Sequence, residues 1–161
     1  MTRPRDFADR VREDLYRLRD SGEVRRIGLS AHDIKLAGKL ADDGVVGVLM
    51  MRDNAAHRGA EQDIFPHWLP ISPESSVFTA TRWTYLLRRP KSVPGNVPIP
   101  TAGQCYRFVL SDPDVCMTAP KNVSELDENI AALNSGPVSE EEREFLCRFG
   151  DAVHHTKKWF M

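Results

Sequence analysis

From Val45 to Met51 the chain reads Val-Val-Gly-Val-Leu-Met-Met, with no polar side chain in the run. A run this short cannot cross a membrane as a helix, which takes roughly 20 apolar residues. Its length is that of one strand. An unbroken apolar strand suits a parallel sheet buried on both faces, whereas a strand with one wet face alternates. Parallel neighbours cannot be joined by a tight turn and need a longer crossover, usually a helix. The run therefore commits its flanks to alternating strands and helices.

The flanks supply that alternation. Phe7, Val11, Leu15 and Leu18 recur at helical spacing and stop before Ser21-Gly22, which ends a first helix. Val24 to Ser30, β-branched at Val24 and Ile27, reads as a strand, and Asp33 caps a helix carrying Ile34, Ala37 and Leu40. After Met51 comes a polar loop from Arg52 to Ala60, then a short helical stretch to Trp68. Pro70 and Pro73 punctuate the chain before a third strand, Val77 to Thr81. Four prolines and a glycine make Arg88 to Pro100 a loop. Thr101 opens a helix with Cys105, Phe108 and Val109 on one face; Asp112-Pro113 closes it before the strand Val115 to Thr118. Ser124 with Asp127 starts another helix, bearing Leu126, Ile130 and Leu133, which Gly136-Pro137 ends. Ser139 and Glu142 form a capping box for a last helix through Phe145, Leu146, Phe149 and Val153. The pattern is α/β, with four parallel strands each followed by a helix and one more helix at the C-terminus. Four such strands make either an open doubly wound sheet or half of an eight-stranded barrel, and periodicity does not separate the two.

Composition narrows the function classes. With 161 residues, 41% of them hydrophobic and 28% charged, the chain has the balance of one globular domain. Twenty-two basic against 23 acidic side chains leave a formal net charge of -1, so we expect no nucleic-acid partner and no membrane surface. The basic start, Met1 to Asp6, is not followed by an apolar core of signal-peptide length, which points to the cytoplasm. Cys105, Cys116 and Cys147 are odd in number and widely spaced, without a C-x-x-C, so buried thiols are expected rather than disulfides or a metal site.

Four stretches, in order along the chain, carry a resemblance. Ser21-Gly22-Glu23-Val24-Arg25-Arg26-Ile27-Gly28-Leu29-Ser30 resembles the segment into the fifth barrel strand of the aldo/keto reductase family. Asn54 to Glu61 resembles that family's loop after the sixth strand, Tyr106 to Ser111 its helix after the seventh, and Lys121 to Asn129 the start of its helix after the eighth. The resemblance implies the C-terminal half of a (β/α)8 TIM-type barrel, with residues 1–161 forming a single truncated domain. It implies NADP or NAD as cofactor, with Ser30, Asn54, Lys121, Asn122, Glu128 and Asn129 at cofactor-binding positions. The family's catalytic Asp, Tyr, Lys and His come from earlier strands, so no catalytic residue is expected in this chain. Several positions depart from the family. Ala31 replaces the usual Asn beside Ser30, Met50 the usual Gln, and Asp53 the usual Tyr before Asn54. An apolar Met cannot hydrogen-bond a carboxamide, so the nicotinamide end is weakened while the adenosine end, with Glu128-Asn129 and Lys121, is better kept. Glu125 stands where many members have Arg, a reversal that opposes a 2′-phosphate.

Outside the resemblance, Asp53, His57, Glu61 and Asp63 crowd one loop at the expected C-terminal face of the strands. They suit acid/base or divalent-metal chemistry, or else helix capping and pairing with Arg58; the spacing matches no metal motif, and no metal is expected. Arg82 and Trp83 would face the same side and suit an anionic or aromatic ligand, with Trp83 as plain core the alternative. His154 and His155 point about 100 degrees apart on a helix, so a solvated terminal helix, covering an apolar edge with Trp159 and Phe160, is expected instead of an ion site. The expected function is an NAD(P)-linked oxidoreductase half-barrel, inactive until completed by a homo-oligomer or by a complementary N-terminal half-barrel chain. The alternative is a non-catalytic binding or assembly partner, a pseudoenzyme remnant.

Overall fold

The computed structural model describes residues 4–42, 46–68 and 74–156. Its elements run α1 (Pro4–Asp20), β1 (Gly28–Ala31), α2 (Ile34–Asp42), β2 (Val48–Arg52), α3 (Gly59–Asp63), α4 (Phe65–Trp68), β3 (Glu74–Phe78), a 3-10 turn (Tyr85–Leu87), α5 (Ala102–Val109), β4 (Val115–Cys116), α6 (Val123–Asn134) and α7 (Glu140–Thr156). The expected caps are in place. Gly22 takes φ +80° as α1 ends, Asp33 Oδ1 accepts the Leu36 N–H at 3.0 Å, and Ser139 and Glu142 exchange bonds of 3.1 and 3.2 Å. Thr101 and Gln104 form a second capping box on α5. Helix α6 begins at Asn122, whose side chain caps it, two residues before the expected Ser124. Trp159, Phe160, Pro70, Pro73 and Val45 lie outside the described residues.

All strand pairs are parallel and their order is β1-β2-β3-β4. A doubly wound sheet reverses its order at a switch point; an in-order sheet with right-handed crossovers puts every crossover helix on one face. That is the barrel arrangement, and it resolves the ambiguity periodicity left. The third strand is a correction: it spans Glu74–Phe78, not Val77 to Thr81. Its start is tied to β4, because Asp114 Oδ2 accepts from both the Ser75 N–H and hydroxyl at 2.9 Å. It ends at Thr79, where φ of +63° breaks the extended backbone.

The two sheet faces differ. Leu49, Met51 and Val77 point to the helices and sink into a core with Ile64, Phe108, Val109, Leu146 and Phe149. On the other face the register aligns Ser30, Met50, Ser76 and Val115 across the four strands. Met50 and Ser76 are only half-buried there, while Ser30 and Val115 are exposed. The apolar run is thus buried on its helix side alone, not on both faces as expected, and its other side lines an open face.

Helix α7 lies over the loop that follows β2. Arg58 pairs with Asp151 at 2.7 Å, Arg143 with Glu61 at 2.8 Å, and His154 Nδ1 sits 2.9 Å from the Ala56 carbonyl oxygen. At its start, Arg107 of α5 grips Glu142 at 3.0 Å and the Gly136 and Pro137 carbonyls. Between these contacts Gly150 meets the loop backbone so closely that a Cβ there would overlap the Ala55 carbonyl and stand 2.8 Å from Ala56 N. Helix propensity alone would make Gly150→Ala stabilising by about 1 kcal/mol. Because the obstacle is backbone, which cannot rotate away, we expect the clash to win and the variant to lose about 2 kcal/mol in urea unfolding. Gly95→Ala, where nothing lies within 4 Å, should change stability by less than about 0.5 kcal/mol.

Candidate functional site

A cleft of about 520 Å3 opens at the C-terminal ends of β3 and β4. One wall is the turn after β3, with Thr79, Thr81, Trp83 and Thr84; the other is the β4–α6 segment, with Met117, Pro120, Lys121, Glu125, Glu128 and Asn129. Tyr106 and Ala102 of α5 close its base. The turn holds an unusual backbone: Thr79, Arg82, Trp83 and Thr84 all have positive φ, between 49° and 67°. Non-glycine residues adopt that region at a cost, and a run of them persists only when surrounding structure imposes it. The 3-10 turn Tyr85–Leu87, with Leu86 fully buried, anchors its far end.

Hydrogen bonds order the α6 wall. The Lys121 N–H donates to Glu125 Oε2 at 2.8 Å, and the Glu125 N–H to Asn122 Oδ1 at 2.9 Å. Glu128 Oε1 accepts from the Gly103 N–H at 3.3 Å, linking α6 to the start of α5, and Asn129 Nδ2 donates to Thr118 Oγ1 at 3.2 Å. Lys121, Glu128 and Asn129 thus stand together on one cleft, as grouped in the sequence, while Asn122 acts as the helix cap. On the facing wall, Thr79 Oγ1 is buried and has no hydrogen-bond partner among the described residues. Across the cleft, Lys121 carries the cationic group of the α6 wall, a group that suits phosphate oxygens.

The remaining positions lie elsewhere. Ser30 is exposed on the open face, beside Met50 in register, and Ala31 packs toward the helices. Asn54 is fully buried and bonded within the protein: its Nδ2 donates to the Thr79 carbonyl at 3.1 Å and its Oδ1 accepts the Ala56 N–H at 3.1 Å. It braces the cleft turn from behind. Arg82 is buried, and only Trp83 of that pair reaches the cleft, 47% exposed. The threonines of the turn escaped sequence reasoning because positive φ is usually signalled by Gly or Asn, and neither is present.

The acidic loop resolves into two environments under α7. Asp53 is 2% exposed, and burial, then Glu61 and Asp112, push its carboxyl up to about 7 against the pull of Arg143. His57 is held down to about 4 by burial and by Arg52, Arg82 and His154, whose ring meets it edge-on at 4.9 Å. Glu61 and Arg58 are engaged by α7, so pairing is the outcome for those two, with partners far along the chain. Among the described residues no three His, Cys, Asp or Glu side chains are placed to hold a metal ion. Cys105 is buried and Cys116 and Cys147 half-buried, all three as free thiols.

The in-order parallel sheet, with helices on one face and a cleft at the strands' C-terminal ends, has the arrangement of part of a (β/α)8 barrel. The chain is similar to aldo-keto reductase AKR11C1 from Bacillus halodurans: against its holo form the TM-score is 0.68 at 18% identity, covering 90% of this chain and 57% of that one. Against the apo form the TM-score is again 0.68 at 18% identity, with 94% and 59% covered. The chain therefore spans less than three-fifths of that reductase, and the likeness shows the fold. No protein-family model and no curated protein sequence matches it.

Asp53 and His57 have opposite linkage to pH. Asp53, raised from 3.8 to about 7, holds its proton in the folded state, so its contribution falls as pH rises across that window. His57, lowered from 6.5 to about 4, stays neutral when folded, so its contribution rises with pH between about 4 and 6.5. The two offset each other in the shared range. Urea midpoints against pH should therefore climb from pH 4 to 6.5 in Asp53→Asn and decline from pH 4 to 7 in His57→Gln; parallel curves for both variants would exclude this assignment.

Proposed function

We propose that this chain is the nucleotide-binding half of an aldo/keto reductase-like, NAD(P)-linked oxidoreductase, which turns over no carbonyl substrate by itself. The observation that carries the reading is the cleft that brings Lys121, Glu128 and Asn129 opposite Thr79, Thr81 and Trp83. Its chemistry suits the adenosine-phosphate end of a dinucleotide. The Lys121 ammonium is the phosphate donor, and the exposed indole of Trp83 offers a flat apolar face to a base. A bound nicotinamide would supply hydride chemistry, but Met50 and Ala31 leave its carboxamide without two partners, so we assign it no step here.

Further support comes from the fold. Barrel active sites form at the C-terminal ends of the strands, and the cleft lies there. The likeness is to a reductase solved in both holo and apo forms. Three free thiols, and no described helix long and apolar enough to cross a membrane, agree with a site of action in the cytoplasm. Two sources of the missing wall agree with the reading, a second copy of the chain and a complementary N-terminal half-barrel chain. A non-catalytic binding or assembly role is the second reading, favoured by the apolar Met50 on the face where substrate chemistry would be sited.

Titration calorimetry tests the assignment. ADP should bind, and Lys121→Ala should weaken it roughly tenfold, the loss expected for one charged hydrogen bond worth about 1.5 kcal/mol. Glu125 should make NAD bind at least as tightly as NADP, and Glu125→Arg should reverse that order. NADPH-dependent carbonyl reduction should be undetectable with the chain alone. Failure of any adenine nucleotide to bind would leave the cleft as a purely structural junction.

A further inference from the structure

Strands β2 and β3 leave the sheet side by side. Their last paired residues are Arg52 and Phe78, so Asp53 and Thr79 are the first residues beyond the ladder on each strand. The two exits are then bonded to each other. Asn54 Nδ2 donates to the Thr79 carbonyl at 3.1 Å, and Asn54 Oδ1 accepts the Ala56 N–H at 3.1 Å. Asn54 and His57 exchange backbone bonds of 2.8 and 3.3 Å, which close the loop on itself. Helix α7 presses on the same loop through Gly150 and through His154 at the Ala56 carbonyl. A loop tied in this way moves as one piece, so whatever displaces Asp53 also displaces the amide that holds Thr79.

The Asp53 side chain is the acidic group of this unit. It is 2% exposed, and its Oδ1 has no hydrogen-bond partner among the described residues. Buried carboxylates are ordinarily paired or hydrogen-bonded. Its surroundings oppose a charge instead. Glu61 of α3 and Asp112 of the α5–β4 turn bring carboxylates toward it, and Cys116 of β4 brings a thiol. Arg143 of α7 is the cation that faces it, but that guanidinium already pairs with Glu61 at 2.8 Å and lies over the Phe108 ring. From its own loop, the Asn54 backbone favours the charged form. An ionised Asp53 therefore sets three carboxylates around one guanidinium in a site closed to water. Burial, then Glu61 and Asp112, push its carboxyl up to about 7.

We propose that Asp53 is a proton-operated latch on the cleft. With its proton, the loop stays seated under α7 and Asn54 holds the Thr79 turn in its ligand-binding shape. Without it, the loop lifts and the cleft releases its ligand. The proposal rests on the nucleotide reading of the cleft and adds how that site is regulated. The turn suits such control, because Thr79, Arg82, Trp83 and Thr84 all hold positive φ, and strained backbone of that kind relaxes once the contacts that impose it weaken. Local electrostatics at the acid thus bias a strained element some residues away. The ligand binds the protonated form, so its apparent dissociation constant rises as the protonated fraction falls. Binding is tight below neutrality and weak above it.

NAD is the probe, since its pyrophosphate has no proton to lose near neutrality. For a carboxyl titrating near 7, calorimetry should show the NAD dissociation constant rising about tenfold between about pH 6 and pH 8. Asp53→Asn, which cannot ionise, should bind with one affinity across that range. Asp112→Asn removes an exposed flanking carboxylate and should move the midpoint to lower pH. A second readout needs no ligand: with fluorotryptophan incorporated, the fluorine resonance of Trp83, identified by its loss in Trp83→Phe, should titrate with the same midpoint and stay fixed in Asp53→Asn. NAD affinity that ignores pH, or a pH dependence that survives Asp53→Asn, overturns the proposal and leaves the nucleotide site standing. Should circular dichroism show Asp53→Asn to be unfolded, an unmoved midpoint in Asp112→Asn overturns it in the same way. A Trp83 signal that titrates through Asp53 while NAD binds at no pH sinks the nucleotide reading alone, and a fixed signal without NAD binding sinks both.

Discussion

The close passage of α7 over the loop after β2 is the contact on which much else depends. Long-range contacts hold this helix against the loop. Gly150 lets the helix backbone reach the Ala55–Ala56 peptide, and the ion pairs Arg58–Asp151 and Arg143–Glu61 fix the crossing on either side. The pairs are partly exposed and each contributes modestly, but with packing around Leu146, Phe149 and Val153 they set one position for the helix. That position in turn buries Asp53 and half-buries His57. Their displaced pKa values are consequences of being roofed over, and the electrostatic cost is tolerated because the apolar packing beneath α7 is larger.

The same loop reaches the cleft through Asn54. Its amide bridges the Ala56 N–H and the Thr79 carbonyl, so the loop after β2 and the turn after β3 are one bonded unit. Four successive or nearly successive positive-φ residues would not hold that turn unaided. Asn54 at its start and buried Leu86 at its end supply the constraint. Asn54 thus shapes the wall that carries Thr79, Thr81 and Trp83, and Lys121, Glu128 and Asn129 complete the cleft from the other side.

The open face has a different logic. Ser30, Met50, Ser76 and Val115 form one layer across the sheet, and layers of this kind fill the interior of a closed barrel. Met50 is a poor ligand partner but a good filler, since its flexible thioether packs against irregular surfaces. Exposed apolar side chains continue on the end helices, at Val11 and Leu15 of α1 and at Val123, Leu126, Ile130 and Leu133 of α6. A core on one face, and an open layer on the other, explains how a chain with ordinary apolar content has so many large apolar side chains in water.

Local chemistry was legible in the sequence wherever a signal acts over a few residues. The caps at Asp33, Thr101 and Ser139, the stop at Gly22, the existence and parallel sense of the strands and the grouping of Lys121, Glu128 and Asn129 all follow from side chains near one another in the chain. The third strand was misplaced because Val77 to Thr81 has strand propensity, while its real limits come from Asp114 pairing with Ser75 and from the backbone reversal at Thr79. Barrel versus doubly wound order could not be read, since both have the same alternation and differ only in which strand lies beside which. The acidic loop looked like one cluster and is two environments, because α7, some 90 residues away, brings Arg143 toward Asp53 and His154 toward His57. The sequence by itself determined the order of the elements, the caps at Asp33, Thr101 and Ser139 and the grouping of Lys121, Glu128 and Asn129. Only the tertiary structure decided the strand order, the facing wall and the protonation of the buried acid, because each depends on distances between segments that local propensity does not encode.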